Sequence, residues 1–135
     1  MNRIAFFCTI AVGILLIGSF FPYAFSGVHL FNEVTSNRSL TTETALYLKM
    51  GWILGAVTIL ILGTWCFFLA PSVRKGTLKA KAQIFILGLG LCTFGLGSLL
   101  ILDDFNQFTL FGIEGFLLML PSLFLKNEEF DSISI

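Results

Sequence analysis

Charge is what this sequence has least of. Only 12% of its 135 residues are Asp, Glu, Lys or Arg, against about 25% in soluble domains. So small a share cannot coat a globule in water, which excludes an ordinary soluble domain. Net charge is zero by count, and nothing points to a nucleic-acid partner. Histidine occurs once and cysteine three times. Cys8, Cys66 and Cys92 stand alone in apolar runs, with no C-x-x-C and no Cys/His cluster. That excludes a disulfide framework and metal-ligand spacing, and the three read as small hydrophobes. No cofactor is expected.

What remains is apolar: 56% of residues are hydrophobic and the mean hydropathy is +0.93. A helix needs about 20 apolar residues to cross a hydrocarbon core of about 30 Å. Four runs meet that length: 4–25, 45–70 (broken by Lys49), 82–102, and 105–125, which carries Glu114. Backbone groups in lipid must be satisfied within their own segment, so each run reads as a helix. The expected fold is all-α, a polytopic membrane protein with one compact bundle of four transmembrane helices. An outer loop (26–44), a basic cytoplasmic loop (71–81) and an acidic tail (126–135) complete it. The first run ends in PYAFSG, which resembles a signal-peptide cut site after Ser26. Its apolar stretch is long for a signal and long enough to span, so it is read as an uncleaved first helix.

Orientation follows from Lys and Arg in short loops. Arg3, Arg74, Lys75, Lys79, Lys81 and Lys126 fall on one side, and only Arg38 and Lys49 on the other. Both termini are therefore expected in the cytoplasm, with a bacterial inner membrane as the location. Arg74, Lys75, Lys79 and Lys81 determine topology and are candidate contacts for anionic lipid. In the outer loop, Thr41 or Thr42 is a plausible N-cap. Asn37-Arg38-Ser39 fits the N-glycosylation pattern, a short and common match.

Lipid exerts no hydrophobic force between helices, so packing relies on small residues that bring backbones together. The expected packing positions are Gly51 and Gly55 on the second helix, Gly88 and Gly95 on the third, and Gly112 and Gly115 on the fourth. The third helix carries a further small face, Gly90 with Gly97. Gly18-Ser19 and Gly97-Ser98 form a faint internal echo.

Glu114 is the chemical oddity. A charged side chain at mid-membrane costs roughly 2.5–3.5 kcal/mol on insertion scales. The carboxyl must face protein or water, pair with a cation, or carry a proton. Lys49 enters from the same side on a neighbouring run, and an intramembrane Glu114–Lys49 pair is expected in the outer half of the bundle. Gln107, Glu114 and Pro121 share one helix face, and Gly112, Gly115 and Met119 another. Pairing makes Glu114 structural; otherwise it is a protonatable or cation-binding site.

A catalytic constellation needs nucleophile, base or metal ligands at one depth, and neither His29 nor Asp103-Asp104 supplies one. The expectation is a non-enzyme that acts through helix–helix contacts as an accessory, assembly or regulatory subunit of a larger membrane complex. The alternative is a small homo-oligomeric transporter or channel coupled at Glu114. The partners are the bilayer and another membrane protein or a second copy.

Overall fold

A computed structural model describes residues 2–36, 41–103, 105 and 108–125. These form α1 (Asn2–Ser36), α2 (Thr42–Arg74), α3 (Leu78–Leu102) and α4 (Thr109–Leu123), with no strand among the described residues. Three helices are long and apolar enough to cross a membrane: Asn2–Glu33, Thr42–Arg74 and Leu78–Ile101. The fourth has only 15 residues. Phe7, Ile14, Leu54, Phe68, Ile86, Leu100 and Ile101 each stand more than half exposed. Apolar surface on that scale is stable against lipid and not against water.

The connections are shorter than the hydropathy pattern suggests. The expected outer loop, 26–44, is helical through Ser36 and again from Thr42. GVHLFNEVTS contains no proline, and its weakest helix former, Gly27, backs onto the Trp52 indole, where a side chain would collide. Thr41 caps α2, its hydroxyl oxygen accepting from the Thr44 amide at 3.3 Å. The expected basic loop, 71–81, shrinks to 75–77. Pro71 sits in the last turn of α2, where it ends the helix rather than breaking it mid-course. Lys79 and Lys81 are good helix formers, and α3 starts ahead of them. At the other end of α3, Asp103 takes the left-handed conformation (φ 49°), which aspartate tolerates better than most residues. The fourth helix starts at Thr109 rather than at 105. Arg38 and its glycosylation triplet, Asp104, Gln107, Lys126 and the acidic tail lie outside the described residues.

The α2–α3 turn depends on two residues. Gly76 has φ 70°, and the Thr77 hydroxyl oxygen accepts from the Ala80 amide at 3.4 Å. Thr77→Ala is expected to cost about 1 kcal/mol through the lost cap. Gly76→Ala is expected to cost about 1–2 kcal/mol through the left-handed backbone. Unfolding in mixed micelles measures both, and unchanged midpoints would refute the turn.

The chain divides into two compact units. Unit 1 comprises Met1–Gly13 with Trp65–Ile135, and unit 2 comprises Ile14–Thr64. In unit 1 the core Ala5, Leu69, Val73, Ala80, Ile84 and Leu125 draws on α1, α2, α3 and the second residue past α4. Arg74 covers one edge, its guanidinium 5.7 Å from the Phe6 ring centroid. In unit 2 the contact between α1 and α2 is aromatic. Trp52 stacks on Tyr23 with centroids 4.5 Å apart and meets Phe31 edge-on at 6.4 Å. Its Nε1–H donates to the Tyr23 carbonyl at 2.9 Å.

Candidate functional site

The site is built on the α3–α4 hairpin of unit 1. There the two backbones touch, because glycine faces glycine. A methyl group added at Gly88 would stand 2.7 Å from the Gly115 carbonyl oxygen. One added at Gly95 would run into the Gly112 amide. Between them the Cys92 thiol donates to the Gly112 carbonyl at 3.4 Å. Phe94 and Phe111 close the contact edge-on at 5.7 Å. These contacts set an antiparallel register in which Gly88 meets Gly115 and Gly95 meets Gly112.

That register sets the depth of Glu114. It lies level with the middle of α3, roughly 16 Å from the Leu102 end at 1.5 Å per residue. The side chain is 5% exposed, and its Oε2 is buried with no hydrogen-bond partner. On α4 it shares the buried side with Phe111, Gly115, Leu118 and Ser122. The glycine contact with α3 occupies one edge of that side. Glu114 occupies the other, by helical spacing.

Cys66 of α2 is fully buried and lies within electrostatic range of Glu114. All three cysteines are free thiols. Two buried hydroxyls of unit 1 donate within their own helices: Thr9 to the Ala5 carbonyl at 2.7 Å and Ser122 to the Met119 carbonyl at 2.7 Å. No group of three or more metal-ligating side chains is found among the described residues.

The other residues singled out in the sequence fall elsewhere. Lys49 is exposed and belongs to unit 2, so neither unit by itself contains a Glu114–Lys49 pair. Gly51 is exposed, with nothing within 4 Å of an added Cβ, while Gly55 faces the Tyr23 hydroxyl. Arg74, Lys75 and Lys79 are exposed and Lys81 is half-buried. Two packed residues stand out only in the structure, Cys66 in unit 1 and Trp52 in unit 2. Cys66 carries no signal beyond its apolar run. Trp52 had one: Tyr23, Gly27 and Phe31 recur every four residues and form a groove for a ring.

Comparison with protein-family models, curated proteins and solved structures finds no match.

Proposed function

We propose that this chain is a small integral membrane protein that acts through helix–helix contacts, as an accessory, assembly or regulatory subunit of a larger membrane complex. The observation that carries this reading is the second small face of α3. Gly88 and Gly95 are consumed by α4, but Gly90 and Gly97 have nothing within 4 Å of an added Cβ. Thr93 lies between them, exposed, its hydroxyl donating to the Leu89 carbonyl at 2.9 Å. Gly90, Thr93 and Gly97 follow one another at helical spacing and leave a shallow channel in the helix surface. In lipid, such a channel is where another helix's backbone packs closely.

Topology supports the same reading. Arg3, Arg74, Lys75 and Lys79 are exposed side chains of unit 1, and the bias of positive charge favours the cytoplasm for the ends that carry them. We place the protein in a bacterial inner membrane with both termini inside.

The test is affinity purification from native membranes, comparing the wild type with Gly90→Leu. A larger membrane protein should copurify in fixed stoichiometry. Filling the channel should lower its recovery about tenfold, equivalent to about 1.4 kcal/mol. The variant's own folding should not suffer, because the position is open. Recovery of the wild type alone, or unchanged capture by Gly90→Leu, would overturn the reading.

A further inference from the structure

Glu114 is too deep in unit 1 for a partner subunit to reach, so the contact reading leaves it unexplained. What could its carboxyl bind? A charged carboxylate in a hydrocarbon interior needs a cation, several hydrogen-bond donors or a proton. The titratable and charged groups on each packed element can be named. α2 contributes Cys66, and Arg74 at its end. α3 contributes Cys92, with Lys79, Lys81 and Asp103 only at its two ends. The α1 part of unit 1 contributes Cys8 and the exposed Arg3. Between Thr109 and Leu123, α4 has no other ionisable residue.

A basic side chain is therefore lacking at the depth of Glu114 among the described residues of unit 1. Arg74 stands eight positions beyond Cys66, about 12 Å of helix. A hard metal cation fares no better, since it takes about six oxygen ligands. The buried hydroxyls of Thr9 and Ser122 both donate within their own helices. The Cys92 thiol donates to the Gly112 carbonyl. One carboxyl with one unpartnered oxygen suits the smallest ligand, which needs no cage.

We propose that Glu114 is an exchangeable proton-binding site inside the membrane domain, taking up and releasing one proton while the protein stays folded. Release leaves the carboxylate, and the proton passes to water; no other bond changes. The carboxyl lies five residues into α4, about 7.5 Å along the helix. That end is the nearer of the two, with nine residues separating Glu114 from Leu123. The site is independent of the contact face on α3, so either inference can fail without the other.

The experiment uses the full chain in vesicles of phosphatidylcholine and phosphatidylglycerol, treated with a lipid-soluble carbodiimide. The reagent adds to a neutral carboxyl and rearranges to a stable N-acylurea, which mass spectrometry assigns to a peptide. The α4 peptide of the wild type should carry one adduct, and that of Glu114→Gln none. Glu114→Asp should still label. Labelling should fall at least tenfold between about pH 5 and about pH 10, since only the protonated acid reacts. Equal labelling across that range would show a permanent proton and overturn the proposal. So would the absence of labelling in protein that labels once denatured. If Glu114→Gln does not fold, the pH profile of Glu114→Asp decides.

Discussion

Replacing Gly115 with leucine is expected to remove about 3 kcal/mol or more of folding stability and to part α4 from α3. Overpacking an interior usually costs about 1–3 kcal/mol, because side chains shift to make room. At Gly115 the atoms in the way are largely backbone. An added Cβ would stand 2.5 Å from the Cys92 amide nitrogen and 2.9 Å from its sulfur, and closer still to the Gly88 carbonyl oxygen. Only a displacement of the whole helix relieves that, and it would also break the Cys92–Gly112 hydrogen bond. Gly90→Ala is the matched control. It lies on the same hairpin in open space, and replacing a mid-helix glycine with alanine is expected to gain about 0.5–1 kcal/mol. Unfolding in mixed micelles, followed by helical circular dichroism, separates the two. A Gly115→Leu protein within about 1 kcal/mol of the wild type would sink the register described for α3 and α4.

Trp52→Ala should be the most damaging change in unit 2, at about 3–5 kcal/mol by comparison with other large-to-small aromatic substitutions. The indole supplies the stack on Tyr23, the edge contact with Phe31 and the cover over Gly27. In lipid the loss is one of packing and dispersion, because apolar burial alone brings no gain there. Trp52→Phe keeps an aromatic ring and loses the Nε1–H bond to the Tyr23 carbonyl, so it should cost only about 1 kcal/mol. Equal losses in the two variants would mean that the hydrogen bond, and not the ring, joins the helices.

The apolar runs announced the helices plainly, since a span must be long and uncharged to sit in lipid. Their ends were less legible. Residues 26–36 look like a loop because Gly27, His29, Asn32 and Glu33 interrupt the hydropathy. They are helical, and Trp52, distant in sequence, closes over Gly27. Glycine spacing revealed that α3 has two small faces but not which one would meet α4, because that choice depends on helix rotation. The stripe through Gly51 and Gly55 shows the same ambiguity: one position is open and the other lies under a tyrosine hydroxyl. Glu114 was conspicuous as an acid among apolar residues. Its company was not, since a buried thiol such as Cys66 looks like any small hydrophobe.

The length of α4 has a mechanical consequence. Its 15 residues rise about 22 Å, short of the roughly 30 Å of hydrocarbon in an ordinary bilayer. α1, at 35 residues, exceeds that thickness by about 22 Å. One chain thus makes two opposed demands on the lipid around it. Beside a short helix the acyl chains compress, at fractions of a kcal/mol per Å of mismatch. A bilayer thinned to match α4 would draw the water boundary inward, toward the end of α4 from which Glu114 is only five residues away.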